Sequence, residues 1–344
     1  MSGTSLDGID IASCLFEQRE DGWKYAVDFA ETIDYSSYWK ETLGNLENAT
    51  AFDFINAHIQ YGHLQGKIIN DFILKYNLSP DFVATHGHTI FHQPDKKITV
   101  QIGDGAAIAA ECGQTVICDF RSLDVALGGQ GAPLVPIGDK LLFSEYDFCL
   151  NLGGFGNISY DVEDKRIAYD TCPVNIVMNR LAKERGKEFD TNGEIASSGK
   201  VNADLLKELN ELAYYKKSYP KSLGKEWVVE QFNPVVDYYK ISVEDKLCTI
   251  CEHIAIQIST LTHQRFGGKM LVTGGGAKNS FLISRLNEYC NTKIIIPDKN
   301  TIDYKEAVIF AFLGLLRMTN RQNCLKSVTG ASKDNIGGAV YLGK

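Results

Sequence analysis

The first ten residues, Met1-Ser2-Gly3-Thr4-Ser5-Leu6-Asp7-Gly8-Ile9-Asp10, carry the densest chemistry in the 344-residue chain. Gly3 and Gly8 bracket a Thr4-Ser5 hydroxyl pair and a carboxylate. A turn with glycine at both ends lets the backbone approach a ligand closely and present N–H groups and hydroxyls to a phosphate. Asp7 and Asp10 add oxygen ligands that suit a divalent cation, directly or through water. Two more glycine turns, Gly153-Gly154-Phe155-Gly156-Asn157 and Gly274-Gly275-Gly276, each follow a short apolar segment. The last of these leads into a helical pattern, and a helix N-terminus after a glycine turn is a ready anion site. Its spacing is not GxGxxG, so a dinucleotide fold has little support.

A different chemistry belongs to Thr85-His86-Gly87-His88-Thr89-Ile90-Phe91-His92. Side chains two apart on an extended segment share a face, which would let His86 and His88 hold a metal. No carboxylate nearby completes a ligand set, so hydrogen bonding to sugar hydroxyls, or a structural histidine, is the better reading. Nine cysteines sit in apolar segments without framework spacing, as reduced and buried thiols do. Cys248-Thr-Ile-Cys251 is a single CxxC inside a helical run and reads as core packing.

The elements that must position these groups alternate between strand and helix. Ile9–Phe16 and Trp23–Ile33 read as strands around a polar turn. Tyr35–Leu46 and Ala51–Tyr76 read as helices, the second with one core-facing stripe of Phe54, Ile55, Ile59, Leu64, Ile68, Ile69, Phe72 and Ile73. Strands are expected at 81–85, 99–102, 115–119, 148–152, 158–162, 166–170, 269–273, 293–296 and 338–342. Helices are expected at 106–112, 176–185, 244–266, 280–289 and 303–319, which puts Glu306 in a first turn. The Gly/Pro-rich Gly128–Pro136 marks a bend or crossing, with a domain boundary near residue 125. Three glycine turns in this order fit two hairpins that face each other across a cleft and grip phosphates, the third turn supporting a nucleoside.

Composition narrows the class. Hydrophobic residues make up 44% and charged residues 23%, with a formal net charge of -8. That balance gives no electrostatic reason to expect nucleic acid or an anionic membrane as partner. No apolar run approaches the ~18–20 residues needed to span a bilayer, and the start lacks a signal-peptide pattern. The expectation is a cytoplasmic protein whose partner is a small molecule, with neither nucleic acid nor membrane, and at most a second copy of itself as a homodimer.

The sequence resembles the anhydro-N-acetylmuramic acid kinase family from end to end. The pieces that carry the resemblance include MSGTSLDGID (Met1–Asp10), THGHTIFHQP (Thr85–Pro94), QIGDGAAIA (Gln101–Ala109) and DFRSLDVALGGQGAPLVP (Asp119–Pro136). NLGGFGNIS (Asn151–Ser159), DTCPVN (Asp170–Asn175), KSLGKE (Lys221–Glu226), VTGGGAKN (Val272–Asn279), KEAVIFAFLG (Lys305–Gly314) and SVTGAS (Ser327–Ser332) follow in family order. The resemblance implies an α/β, two-lobed actin/hexokinase/Hsp70-like (ribonuclease-H-like) ATPase fold with a cleft between the lobes. The expected lobes are 1–125 plus 307–344, and 126–306. It implies ATP and Mg2+ as cofactors. Asp170 would be the catalytic base. Gly3, Thr4, Ser5, Leu6, Asp7, Gly8, Ile9, Asp10, Gly153, Gly154, Asn157, Gly274, Gly275 and Gly276 would hold the nucleotide, with Asp7 nearest the metal. His86, Gly87, His88, Thr89, Arg121 and Glu306 would meet the sugar. Asp170 also has a bland reading as a helix N-cap, and Glu306 one as a first-turn carboxylate favoured by the helix dipole.

Departures from the family pattern gather on the sugar side: His88 in HGQT, Ser122 and Leu123 in FRRRD, Cys172 and Val174 in DTGPGN, and Leu223 and Lys225 in KSTGRE. They keep alive a kinase of the same fold acting on another sugar; a non-catalytic sugar or nucleotide sensor is raised instead by a missing first strand, and a metallohydrolase by His86, His88 and His92. The family also carries a short strand before the first turn. The expectation is that the numbering starts late or that another segment fills that place.

Overall fold

A computed structural model gives the structure of the chain and describes residues 1–2, 6, 8–262 and 267–343. The chain forms two compact units, Met1–Leu142 with Tyr304–Lys344, and Phe143–Asp303.

In the first unit, β1 (Gly8–Arg19) and β2 (Gly22–Asp34) pair antiparallel around the two-residue turn Glu20-Asp21, with a register slip between Ser13 and Cys14. Thr50 caps the helix Ala51–Tyr76 by accepting the Asp53 N–H at 3.2 Å, and Asn77 ends it in the left-handed region. The expected apolar stripe is only partly right. Ile55 and Ile59 are exposed, whereas Ala57, Tyr61, Gln65 and Phe72 are buried. The reason is close helix packing: a Cβ on Gly62 or Gly66 would meet the backbone of Asp104 or Ile108, so the small-residue face, not the bulkiest one, lies against the helix Gly105–Cys112.

Strand β3 (Val83–Ala84) follows, then β4 (His88–Gln93), β5 (Ile98–Ile102) and β6 (Val116–Cys118). Strands β4 and β5 form an antiparallel hairpin, so the histidine segment expected as a loop is largely a strand. β6 pairs parallel with β3. The Gly/Pro-rich connection gives way to the helix Val135–Leu142 earlier than expected. Pro136 is tolerated there because first-turn N–H groups have no helical partner to lose. Among the described residues no strand pairs with the outer edge of β1, apart from the bridge of Ser2 to Ile9. That edge, β3 and the helices Ala51–Tyr76 and Lys299–Met318 line a cavity of about 390 Å³ whose wall mixes apolar side chains with Asp10, Asp28 and Gln65.

The second unit holds β7 (Phe148–Leu152), β8 (Phe155–Val162), β9 (Lys165–Pro173), β10 (Lys269–Thr273) and β11 (Lys293–Ile295) in one sheet ordered β11-β10-β7-β8-β9. Strands β7 to β9 are an antiparallel meander, and β10 runs parallel to β7 and β11. Phe148, Cys149, Leu150 and Leu152 are all buried, the signature of a central strand covered on both faces. One continuous core joins this sheet to the helices Asn175–Lys183, Val243–Thr262 and Ser280–Tyr289. Cys251 belongs to that core and Cys248 lies one turn before it, both as free thiols. A last strand, β12 (Ala339–Tyr341), returns to the first unit and pairs antiparallel with β6.

Candidate active site

The chemistry of the second unit collects at the carboxyl ends of β7 and β10, where parallel strands of an open α/β sheet place their ligands. Gly153 and Gly154 follow β7, and Gly274–Gly276 follow β10. The two turns lie against each other: a Cβ on Gly274 would sit 2.9 Å from the Leu152 carbonyl, so only glycine fits. The helix Asn175–Lys183 starts directly behind the first turn. The Asn175 N–H donates to the Gly153 carbonyl at 3.2 Å and the Val174 N–H to the Gly154 carbonyl at 2.9 Å. The Asn175 side chain donates to the Leu152 carbonyl at 3.0 Å. A side chain added at Gly154 would meet open space, so the tip of this hairpin can receive a ligand.

Asp170 stands near the end of β9, with Asn157 opposite it in register on β8. The Asn157 amide donates to Asp170 Oδ1. The Leu223 N–H donates to Oδ2 at 2.7 Å, and the Tyr214 hydroxyl donates to the Asp170 carbonyl at 2.6 Å. Both carboxylate oxygens are therefore aimed by neighbours. Burial pushes the carboxyl up to about 6, partly offset by the Leu223 N–H. The helix-cap reading of Asp170 fails, because the N-cap position belongs to Val174 and makes no side-chain hydrogen bond. Sequence reasoning placed Asn157 with the nucleotide, whereas its side chain is engaged by Asp170. The roles of Tyr214 and the Leu223 N–H were missed, since both come from segments more than 40 residues away.

In the first unit, Gly3, Thr4, Ser5 and Asp7 lie outside the described residues. Leu6 takes a positive φ of 58°, and Gly8 and Ile9 open β1. Asp10 Oδ1 accepts the Thr32 hydroxyl at 2.6 Å. The expected common face of His86 and His88 does not form, because Gly87 between them has φ 74° and turns the chain. His86 Nε2 accepts from Arg121 Nε at 2.9 Å, which leaves its proton on Nδ1, 3.1 Å from the Gly87 carbonyl. His88 Nδ1 instead meets the Ser2 hydroxyl at 2.7 Å. From there a buried hydrogen-bond chain runs through Tyr35 to Tyr61. Burial holds both histidines below their usual range and hence neutral near pH 7, His86 strongly so with the Arg121 charge adding to the effect. His92 pairs with Thr99. Among the described residues no group of three or more His, Cys, Asp or Glu side chains is arranged to hold a metal.

Arg121 also donates to the Gly131 carbonyl at 2.7 Å and lies 6.0 Å from the Phe310 ring. Burial lowers it to about 10, with Glu306 opposing that shift. Thr89 pairs with Gln101 in the β4–β5 hairpin. Glu306 is not in a first turn. Its helix begins at Lys299, so the dipole account does not apply. The side chain remains open to solvent although protein crowds it, and that crowding pushes its carboxyl up against the pull of Arg121.

A model of the family described as anhydro-N-acetylmuramic acid kinase matches residues 1–343. The chain is 34% identical over 357 residues to the anhydro-N-acetylmuramic acid kinase of Sulfurovum sp. (strain NBC37-1), covering 99% of this chain and 98% of that one. It is 35% identical over 362 residues to the enzyme of the same name from Pasteurella multocida (strain Pm70), covering 99% and 95%. The chain belongs to the anhydro-N-acetylmuramic acid kinase family. It is thus a sugar kinase, and its mixed α/β sheets are those expected of a two-lobed ATPase fold.

Membership in this family sharpens the departures. Cys172 and Val174 are fully buried, so they fill core space behind the turn beside Asp170. Ser122 is taken up by its own turn, its N–H and hydroxyl donating to Asp119 Oδ1, and Leu123 is exposed. Only His88, tied to Ser2, stands among the residues expected to meet the sugar.

Proposed function

We propose that the protein is an ATP-dependent kinase acting on 1,6-anhydro-N-acetylmuramic acid in cytoplasmic cell-wall recycling. Water opens the anhydro bridge, the freed O6 takes the γ-phosphoryl group, and N-acetylmuramate 6-phosphate and ADP leave. The observation that carries this reading is Asp170: a carboxylate aimed by Asn157 and the Leu223 N–H, with its carboxyl at about 6, on the same sheet as two glycine turns. At pH 7 such a group is deprotonated roughly ten to one, yet still basic enough to take a proton from water. Its target is the water that bonds to C1 as the C1–O6 bond breaks. The electron pair of that bond goes to O6, which attacks phosphorus while the β–γ bridging oxygen departs with ADP.

Phosphoryl transfer depends mainly on positioning and charge neutralisation. Gly153, Gly154 and Gly274–Gly276 would offer backbone to the nucleotide, and the Gly3–Asp10 segment would join them. Asp10, whose Oδ1 accepts from Thr32 and whose Oδ2 takes no hydrogen bond among the described residues, suits a hard cation that prefers oxygen. Asp10 and Asp7 would hold Mg2+, which would neutralise charge on the phosphates. His86–Thr89, Arg121 and Glu306 would contact the sugar, and the two compact units would be the two lobes.

The test is turnover by the purified chain of ATP and Mg2+ with the anhydro sugar. The expected result is equal amounts of ADP and sugar 6-phosphate, with one oxygen from labelled water at C1. ATP binding without turnover would reject the reading. A kinase of another sugar is favoured by His88 standing where the family has glutamine, and a panel of amino sugars and anhydro sugars with ADP readout separates the two.

A further inference from the structure

Lys221 has no part in the reaction as written, yet its loop is fastened to the base. The Asp170 N–H donates to the Lys221 carbonyl at 3.4 Å, and two residues later the Leu223 N–H holds the carboxylate. The Lys221 ammonium lies 4.7 Å from the centre of the Tyr214 ring and 5.6 Å from that of Tyr169. The Tyr219 ring stacks on Tyr169 at 5.9 Å and 12°. No carboxylate among the described residues forms an ion pair with Lys221, which is unlike the buried lysine Lys305 paired to Asp139 at 2.7 Å. Burial lowers the Lys221 ammonium. A half-buried cation set over two aromatic rings, with no carboxylate paired to it among the described residues, is under-compensated, and an arriving anion would complete it.

The reaction brings two kinds of anion, the phosphates of ATP and the carboxylate of the lactyl ether on the muramic acid. The phosphates have backbone donors at the glycine turns, whereas the Lys221 loop is built onto the group that works on the sugar. We propose that Lys221 binds the lactyl carboxylate and selects acidic over neutral anhydro sugars. This rests on the proposed function and adds the residue that discriminates the substrate class.

The experiment compares the full-length chain with Lys221→Met and Lys221→Arg, using 1,6-anhydro-N-acetylmuramic acid and its primary carboxamide. For the unaltered chain kcat/KM is expected to favour the acid by ~10- to 100-fold, the range of one charge-assisted contact. Lys221→Met should bring that ratio close to one, through KM for the acid, and leave the carboxamide and the KM for ATP unchanged. Lys221→Arg should keep part of the preference. An equal loss on both sugars, or a raised KM for ATP with the ratio intact, overturns the proposal. If the unaltered chain turns over neither sugar, the functional reading has failed. Calorimetric binding of the acid and the carboxamide then still decides the role of Lys221.

Discussion

Replacing Asp170 by asparagine should cost activity and gain stability, and the two effects have one source. Burial raises the carboxyl from 3.8 to about 6. That difference corresponds to ~3 kcal/mol of interaction lost by the charged form on folding. A carboxyl with a raised folded-state value binds its proton more tightly when folded. The folded chain is therefore penalised as pH rises from about 4 to about 6, and the full penalty is present above 6. Asparagine carries no charge and escapes it, although its single amide oxygen cannot accept from both the Asn157 amide and the Leu223 N–H, so a net gain of ~1–2 kcal/mol is expected at pH 8. At pH 4 the gain should vanish or reverse. Activity should fall ~100- to 10,000-fold, the usual contribution of a positioned general base. For the unaltered chain, kcat/KM should drop tenfold per pH unit below about 6. The assays are ADP release and thermal unfolding, each from pH 4 to pH 8. A variant that keeps more than a tenth of the activity, or that is less stable at pH 8 than at pH 4 relative to the unaltered chain, refutes the reasoning.

Other outcomes follow from the first unit. Arg121→Lys cannot reach both His86 Nε2 and the Gly131 carbonyl, so the KM for the sugar should rise at least ~10-fold and stability fall by ~1–3 kcal/mol in denaturant unfolding. Asp124 is fully buried and accepts from the Gly131 N–H, Cys324, Thr329 and Asn335, so Asp124→Asn should cost ~2–4 kcal/mol by the same measurement. Gly66→Ala would place a methyl 2.5 Å from the Glu111 Cβ and 2.9 Å from the Ile108 carbonyl. A loss of ~1–3 kcal/mol is expected, and unchanged stability would show that the two helices separate at no cost.

Local signals were strong wherever one segment settles its own structure. The helix Ser280–Tyr289 follows its capping Asn279, and the helix Ala51–Tyr76 runs from Thr50 to a left-handed Asn77, so both bounds are legible in residue types. Burial along the second helix was not legible, because Gly62 and Gly66 matter only once Gly105–Cys112 lies against them. The start of the helix at Lys299 was missed too, since Lys-Asn-Thr is a weak helical start, and with it the position of Glu306.

The chemistry divides in the same way. Asp170, the glycine turns and Arg121 could be named from residue types, order and family resemblance, since each belongs to a short contiguous pattern. What aims them could not. Asn157 faces Asp170 through strand register, the Leu223 N–H and Tyr214 reach it from a distant loop, and one positive φ at Gly87 sends His86 to Arg121 and His88 to Ser2. The perturbed carboxyl at about 6 likewise belongs to the packing around Asp170, not to aspartate. A sequence lists the groups and their neighbours along the chain. Hydrogen-bond partners and desolvation are properties of neighbours in space, and only the tertiary structure supplies those.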